Sequence, residues 1–282
     1  MGNKQPDLFI REQRDTLDLM SVPVVSLSSK KRTEPIRYKR GDTDIEVSAP
    51  DHIGLATIYD WDIIQFCVGR ITEALNDNVE TSQTITTPVY DLLRSIHRHT
   101  SGTDYRRFRE ALDRLKATTI RTNIRSSQKT RYAAFGLIDN YLWEETADGT
   151  TRGVSITLSR WLYDAIKDRR VLGIDQRYYE MTGGLEKWLY RLCRKQAGDQ
   201  RTGWRWSISE LYERSGSVQP VRNFAVSLRS IVAENQLPEY ALTIYTDQTG
   251  SEALHAVRRS KLEITSKDYE TPIPRNKRNP KS

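Results

Sequence analysis

The sequence predicts an α+β fold in which one order of elements, helix, turn, helix and then strands, occurs twice. The first observation is a repeated phrase: Arg106–Leu115 and Arg222–Ile231 share the pattern Arg-x-Phe-x3-Leu-x2-Leu/Ile. In both copies the aromatic and the two aliphatic residues are spaced i, i+4 and i+7, which places them on one helical stripe. The second observation is that each copy follows a glycine break and precedes β-prone runs. Two copies in equivalent contexts predict two domains of the same construction.

Both repeated helices carry cations away from the apolar stripe. One such helix is typical of an ordinary amphipathic surface helix, but two in equivalent positions favour a cationic face for a negatively charged groove. The overall charge agrees, because 44 Lys and Arg residues against 37 Asp and Glu residues give a net charge of +7. A basic surplus favours nucleic acid through counterion release, so double-stranded DNA is the predicted partner. The predicted DNA-binding residues are Arg106, Arg107, Arg109 and Arg114 in the first helix, Arg222, Asn223 and Arg229 in the second, and Ser217 in the turn before the second helix.

The chain is predicted to contain four regions. Residues 1–33 hold charges, serine clusters and no sustained periodicity, which is typical of a flexible arm. Residues 34–158 and 159–260 each contain one copy of the repeated order and are predicted as the two domains. Residues 261–282 combine prolines with cations and are predicted as a basic tail.

In the first domain, a short hairpin and two helices are predicted before the first repeated helix. Asp60 is placed to cap a helix whose apolar stripe runs from Trp61 to Leu75. Thr87-Pro88 then combines a capping residue with a proline at the first helical position. The second of these helices and the repeated helix form the predicted helix-turn-helix.

Two predicted strands, residues 118–124 and 132–138, follow the first repeated helix and enclose a basic loop. A basic loop on a hairpin directly after a helix-turn-helix is typical of a winged-helix domain, where such a wing holds the DNA backbone. The sequence therefore predicts two tandem winged-helix domains. The phosphate-binding residues predicted for the first wing are Arg125, Lys129 and Arg131.

The second domain repeats this plan after a junction at Ser159. A strongly amphipathic helix begins near Gly184, and Ser207 has the spacing of a capping residue for the next helix. Residues 240–245 and 253–257 are predicted as the strands of a second wing, whose loop carries Asp247 and no cation. This wing is expected to hold phosphate less well than the first.

Several other functions lack a sequence basis. No run approaches the roughly 20 apolar residues of a membrane span, and the first residues lack a signal-peptide hydrophobic region, so a cytoplasmic protein is expected. Cys67 and Cys193 lie in apolar stripes and are interpreted as buried small residues. Neither a phosphate-binding loop nor paired acid and base carboxylates occur, so no cofactor, metal or catalytic activity is expected.

One enzymatic alternative is weighed, because rolling-circle initiators cut DNA with a tyrosine beside a metal-binding His-hydrophobic-His pair. The chain offers His97-Arg98-His99 and Tyr178-Tyr179. The middle residue of the first triplet is Arg98, and the triplet ends a helical pattern, whereas the motif needs a strand that points both imidazoles at one metal. A nicking activity is therefore a remote alternative.

Four phrases occur in an order that is specific to one family. They are Gly54-Leu55-Ala56-Thr57-Ile58-Tyr59-Asp60, Trp161-Leu162-Tyr163, Gly183-Gly184-Leu185-Glu186-Lys187-Trp188-Leu189-Tyr190-Arg191 and Arg222-Asn223-Phe224. On these phrases the sequence resembles the plasmid replication initiator protein A family, of the RepA and TrfA type, from about Pro35 to Val257. The resemblance implies binding to repeated origin sites called iterons, opening of an AT-rich duplex, and recruitment of the host initiator and replicative helicase. It also implies a homodimer that represses its own gene, with the first domain pairing the two chains.

A peptide in the arm resembles another replication motif. Gln5-Pro6-Asp7-Leu8-Phe9 is similar to the segment by which bacterial replication proteins bind the sliding clamp. Leu8 and Phe9 would enter a groove while the amide of Gln5 hydrogen-bonds at its rim. Pro6 replaces the usual leucine, and a terminus with unrelated hydrophobic residues is the alternative interpretation.

A transcriptional repressor with winged helices is the closer alternative, since fold does not fix function. The clamp-like peptide and the order of family phrases favour initiation. In the initiator interpretation each second helix enters the major groove, about one helical turn apart. The first domain is expected to supply mainly phosphate contacts, and the second to read more base edges.

Overall fold

The computed structural model describes residues 13–125, 132–145, 151–246 and 250–262, which form a mixed α/β fold. The chain divides into two compact units. Unit 1 contains the described residues up to Leu19 and from Pro23 to Glu180, and unit 2 contains Met20–Val22 and the described residues from Met181. The main change of unit therefore lies after Glu180 and not at the predicted junction before Ser159. Within the described ranges, no helix is both long and apolar enough to cross a membrane.

Unit 1 is built around a buried helix with three sheets. Its helices are α1 (Trp61–Asn76), α2 (Val89–Ser95), α3 (Gly102–Ala117) and α4 (Arg160–Lys167). Its strands are β1 (Gln13–Thr16), β2 (Ile36–Arg40), β3 (Thr43–Ser48), β4 (Thr84–Thr87), β5 (Thr119–Thr122), β6 (Ala133–Gly136), β7 (Ile138–Glu145), β8 (Thr151–Leu158) and β9 (Val171–Ile174). The sheets have the orders β1-β9, β2-β3-β5-β6 and β4-β8-β7.

The predicted stripe of α1 is confirmed as the centre of this unit. Trp61, Ile64 and Val68 are fully buried, as the i, i+3, i+7 spacing requires. Asp60 occupies the position before the helix, but its side chain makes no capping hydrogen bond. It accepts the backbone N–H of Thr57 and binds a side chain of α3. The carboxylate therefore joins two elements of unit 1.

Residues 13–33 do not form the predicted flexible arm. β1 pairs antiparallel with β9, and Leu19 is fully buried. The carboxylate of Asp15 accepts hydrogen bonds from Trp61 Nε1 at 3.0 Å and Gln65 Nε2 at 2.9 Å. A local pattern cannot show such a partner, because α1 lies more than 40 residues further along the chain. Residues 1–12 lie outside the described ranges.

The described part of unit 2 contains three α-helices and one sheet. The elements are α5 (Gly184–Gln196), β10 (Trp204–Ser207), α6 (Ile208–Ser215), α7 (Val221–Glu234), β11 (Tyr240–Thr246) and β12 (Glu252–Arg258), with the sheet order β10-β12-β11. The predicted cap of α6 is confirmed, because Ser207 Oγ accepts the N–H of Glu210 at 3.1 Å. Gly216 ends α6 with φ +61°, a left-handed conformation that favours glycine. This turn separates α6 from α7.

The two units share one sheet order, and this order corrects the first predicted wing. In unit 2 the strand before the helix pair, β10, pairs with β12, and β12 pairs with β11. In unit 1 the strand before the helix pair, β4, pairs with β8, and β8 pairs with β7. The predicted wing strands β5 and β6 do form a hairpin, but they join β3 in a separate sheet. The counterpart of the β11–β12 hairpin in unit 1 is therefore β7–β8.

Candidate nucleic-acid interface

The second helix of each helix pair, α3 in unit 1 and α7 in unit 2, packs its apolar stripe against the core of its own unit. In α3, Phe108, Leu112 and Leu115 are fully buried, and in α7 Phe224 and Leu228 are fully buried. The N-terminus of α3 is fixed by a capping box, in which Ser101 and Asp104 exchange hydrogen bonds with each other's backbone. The helix α7 follows Pro220, which stands at its N-cap. The opposite sides of both helices carry exposed residues.

Four of the predicted DNA-binding residues lie on these exposed faces, in the first half of each helix. Arg106 and Arg107 are exposed on α3, and the side chain of Arg107 is 70% exposed with its guanidinium 3.9 Å from Asp104. Arg222 and Asn223 are exposed in the first turn of α7. The N-terminal half of a recognition helix is the part that contacts DNA in helix-turn-helix proteins. These four side chains are accessible to a ligand, and their contact with DNA stays a prediction.

Arg109 and Arg229 are each held by a glutamate of the neighbouring hairpin. Arg109 binds Glu145 at the end of β7, and its guanidinium lies 4.6 Å from the ring centre of Trp143. Arg229 binds Glu252 at the start of β12, with Nε 3.1 Å from Oε1. This ion pair raises the pKa of Arg229 and lowers that of Glu252. The two arginines are half exposed, so each remains on the surface in a fixed orientation.

Arg114 was predicted to bind DNA, and the structure places it in the scaffold of unit 1. Its Nε and Nη2 atoms each donate to the carboxylate of Asp60 at 2.8 Å. Asp60 is only 3% exposed at its side chain, so the pair is largely removed from water. The hydrogen bond that Arg114 donates to Asp60 raises the pKa of Arg114 against the opposing effect of burial. The guanidinium is therefore committed to neutralising a buried carboxylate.

Arg125 was predicted to bind phosphate from the first wing, and this interpretation is also corrected. Its Nε atom donates to Asp18 at 2.5 Å, Nη1 donates to the carbonyl of Trp161 at 2.8 Å, and the guanidinium stacks 3.5 Å from the Trp161 ring centre. The side chain is 18% exposed. Burial raises the pKa of Asp18, but hydrogen bonds from Arg170 and Arg125 outweigh it and lower the pKa overall. Arg125 thus fastens the N-terminal segment to unit 1.

The remaining predicted site residues divide into two groups. Ser217 lies in the turn between α6 and α7, where its N–H donates to Ser215 Oγ at 3.1 Å and its hydroxyl accepts the N–H of Gln219 at 3.4 Å. Its present contacts are those of a turn residue. Five others lie outside the described residues: Lys129 and Arg131 of the basic loop, and Gln5, Leu8 and Phe9 of the clamp-like peptide.

Sequence reasoning missed the residues that hold the arginines and the residue at the centre of the α7 face. Glu145 and Glu252 are 36 and 23 residues from their arginines, so no local spacing indicates the pairs. Val226 is 56% exposed on α7. Its position two residues after Phe224 is a signal that could have identified it, since the apolar stripe fixes which residues face outward.

The residues of the nicking alternative do not form the arrangement that such chemistry needs. His97 and His99 lie in the turn between α2 and α3, not on a strand. Tyr178 is fully buried, and the hydroxyl of Tyr179 hydrogen-bonds Gln13 Oε1 at 3.2 Å. Among the described residues, no group of three or more His, Cys, Asp and Glu side chains could hold a metal ion. Both cysteines are buried, and burial raises the pKa of the Cys67 thiol to about 12.

Comparisons with known proteins identify relatives across most of the chain. The sequence model of a family described as Replication initiator protein A matches residues 14–242. A protein of Wigglesworthia glossinidia brevipalpis, described provisionally as a replication protein, is 32% identical over 247 residues, which cover 86% of this chain and 89% of that protein.

Solved structures show the same fold in another protein. A structure of domains 2 and 3 of RctB matches 85% of this chain and 96% of its own chain, with a TM-score of 0.60 at 13% identity. A second structure of RctB domains 2 and 3 matches 84% of this chain and 95% of its own, with a TM-score of 0.55 at 14% identity. At these identities the likeness establishes the fold alone.

Proposed function

We propose, from the premise that the chain belongs to the Replication initiator protein A family, that each unit is a winged-helix domain binding double-stranded origin DNA through its second helix. The family assigns the chain a role in replication initiation. The observation that carries the DNA-binding proposal is the matched construction of α3 and α7: a buried Phe stripe on one side and exposed cations on the other. In helix-turn-helix proteins this outer face enters the major groove.

The hairpins β7–β8 and β11–β12 are the proposed wings. Each hairpin follows a helix pair. One strand of the hairpin, β8 or β12, is hydrogen-bonded to the strand that precedes the same helix pair, β4 or β10. The Arg109–Glu145 and Arg229–Glu252 ion pairs connect each helix to its hairpin close to the hairpin tip. Both guanidiniums therefore lie where helix and wing meet, which is a suitable position for a DNA phosphate.

The target is proposed to be a set of repeated origin sites. Iteron binding, opening of the neighbouring AT-rich duplex, recruitment of the host initiator and helicase, and a self-repressing dimer follow from the family resemblance. The sequence contains no phosphate-binding loop for ATP, so the free energy for opening DNA is proposed to come from DNA binding or from partner proteins.

The experiment that tests the initiator role is plasmid maintenance. The gene and its flanking DNA would be joined to a selectable fragment that cannot replicate by itself. An initiator should maintain this plasmid, and an Arg222→Ala/Asn223→Ala variant should not. The matched control is Lys195→Ala, a change on α5 outside the proposed interface. A repressor would reduce transcription from the flanking DNA and would not maintain the plasmid, which would contradict the proposal.

The clamp-like peptide is proposed as a separate contact of the chain. Leu8→Ala with Phe9→Ala should abolish binding to the host sliding clamp, because both groove-filling side chains are removed. The double variant should keep its affinity for origin DNA within a few fold. Surface plasmon resonance on immobilised clamp measures the first quantity, and unchanged clamp binding would remove the peptide from the proposal.

We also propose that the chain does not cut DNA. Supercoiled origin DNA incubated with the purified protein and Mg²⁺ or Mn²⁺ should stay uncut. A nick that appears with the wild-type protein and disappears in Tyr178→Phe/Tyr179→Phe would contradict this and favour the rolling-circle alternative.

A further inference from the structure

We propose that Val226 recognises the 5-methyl group of a thymine in the bound DNA site. The inference rests on the proposed function, because it requires α7 to lie in the major groove. Val226 is 56% exposed. Single exposed apolar side chains are common on protein surfaces, but this valine is distinguished by its position on α7 and by the residues around it.

Val226 lies at the centre of the exposed face of α7. It is two residues after Phe224 and two residues before Leu228, which are both fully buried. Two residues correspond to about 200° of rotation in an α-helix with 3.6 residues per turn. The valine is therefore on the side opposite the core of unit 2, at the point of the helix that reaches furthest toward a bound duplex.

Polar side chains surround this valine on the same face. Arg222 and Asn223 precede it by four and three residues, while Arg229 and Ser230 follow it by three and four, and all four are exposed. The cations among them attract phosphates and favour a nucleic acid as the occupant. Val221 of the same helix is also exposed, at 50%, but it lies about 140° away from Val226 around the helix. The apolar area around Val226 is therefore much smaller than the centre of a stable protein interface provides.

Thymine is the base that this arrangement can recognise. In the major groove, thymine presents a methyl group beside its acceptor oxygen, and apolar side chains contact that methyl. A valine in a helix is restricted largely to one rotamer, so its two methyl groups are held in place before binding. Arg222 and Asn223 can donate to neighbouring base edges. The valine adds a contact that depends on the methyl alone.

Unit 1 lacks this feature at the equivalent position. In the aligned phrases, the residue two positions after Phe108 is Glu110, which is exposed on α3. A carboxylate there cannot replace the apolar contact, and it disfavours nearby phosphates. Sensitivity to a thymine methyl is therefore assigned to unit 2.

The test removes single methyl groups from DNA. The probe is the duplex that the wild-type full chain selects from a randomised library. Each thymine is replaced in turn by deoxyuridine, which pairs identically and lacks only the methyl group. We expect one or two replacements to weaken wild-type binding about four-fold, the effect of losing one buried methyl-sized contact. Fluorescence anisotropy at fixed salt measures each dissociation constant.

Two protein variants identify the side chain responsible. Val226→Ala should bind the unmodified duplex about four-fold more weakly and lose no further affinity at the same thymine. Val79→Ala is the matched control, since Val79 is an equally exposed valine, at 57%, that follows α1 in unit 1. This control should keep the full wild-type sensitivity to deoxyuridine.

Four results would overturn the inference, and they differ in what they leave standing. If the wild-type protein selects a sequence but no thymine methyl matters, or if Val226→Ala keeps the sensitivity, α7 binds DNA without this contact. If Val226→Ala changes only the self-association of the DNA-free chain in sedimentation, the valine faces a second copy. If the chain selects no sequence at all, the proposed function fails and the inference fails with it.

Discussion

The second helices of the two units share their buried side and differ on their exposed side. The stripe Phe108, Leu112 of α3 corresponds to Phe224, Leu228 of α7, and all four residues are fully buried. On the outer face, Glu110 of α3 corresponds to Val226 of α7. The buried residues are constrained by packing, while the exposed residues are free to differ in chemistry. The comparison teaches that one scaffold can keep the same buried stripe in both units while it presents different chemistry on the exposed side of each helix.

A second difference is how much of each outer face is used within the protein. On α3, Tyr141 donates to Asp113 at 2.5 Å, and the guanidinium of Arg109 lies 4.6 Å from the centre of the Trp143 ring. Arg114 is committed to Asp60. On α7 the corresponding contact to the hairpin is the ion pair of Arg229. The face of α3 is therefore partly covered by its own unit, and this favours a supporting role for unit 1 in sequence recognition.

The largest expected effect is on the free energy of unfolding. It comes from the aligned position that is Arg114 in α3 and Ser230 in α7. Arg114→Ala should lower the free energy of unfolding by about 3 kcal/mol, because it leaves the carboxylate of Asp60 buried without its cationic partner. The matched change Ser230→Ala should stay within about 0.5 kcal/mol, since this residue is exposed. Urea unfolding of the full chain, followed by circular dichroism, measures both. Equal effects would mean that the two helices do not differ in structural role at this position.

The next effect concerns the contacts of Asp18 with Arg125 and Arg170 in unit 1. Arg125→Ala should lower the free energy of unfolding by about 1–3 kcal/mol at neutral pH, since it removes a charged hydrogen bond from a largely buried carboxylate. The folded-state pKa of Asp18 lies below its usual 3.8, so this contribution is complete above that pH and is lost as the pH falls through the folded pKa.

The difference between wild type and Arg125→Ala should therefore shrink in acid. Arg121→Ala is the control, because Arg121 is an exposed arginine of the same hairpin that stacks on Tyr132 at 4.1 Å. If the Arg125→Ala protein is as stable as the wild type but binds DNA more weakly, Arg125 contacts DNA and its structural assignment is wrong.

The smallest expected effect is on DNA affinity, and it should differ between the two arginine–glutamate pairs. Glu252→Gln should increase affinity for any duplex on the order of three-fold at low salt, because it removes a negative charge and releases Arg229 for phosphate. Glu145→Gln should increase the affinity by a smaller factor, since Arg109 is also held over the Trp143 ring. Anisotropy titrations at low and high salt measure both, and the gains should vanish at high salt through screening. Gains that persist at high salt would exclude an electrostatic origin.

Local spacing predicted the elements whose partners are nearby in sequence. The stripes of α1, α3, α5 and α7 and the hairpin β11–β12 were predictable, because helix and hairpin periods are read over a few residues. The strand β4 was missed, since Thr84–Thr87 has no buried residue and is defined by its pairing to β8. Without β4, the hairpin β5–β6 was the nearest candidate for the wing.

The errors at individual site residues have the same physical origin. The sequence shows that Arg114 lies off the apolar stripe and that Arg125 lies in a basic loop. It does not show that the fold pairs Arg114 with Asp60 and Arg125 with Asp18. The reverse holds for Arg222 and Asn223, whose exposure follows directly from the position of Phe224. Positions defined relative to a stripe are predictable, whereas charge pairs over long sequence distances are not.

The central claim is that α3 mainly contacts the backbone while α7 reads bases, and one set of titrations tests it. Arg106→Ala/Arg107→Ala and Arg222→Ala/Asn223→Ala would be compared on the selected duplex and on a scrambled duplex across a salt series. The first pair should weaken both duplexes and reduce the salt slope by about two units, roughly one for each lost phosphate contact. The second pair of substitutions should weaken the binding free energy for the selected duplex by about 1–3 kcal/mol or more, and should change that for the scrambled duplex little. If neither pair changes affinity, or if the α3 pair alone removes the preference for the selected duplex, the account is wrong.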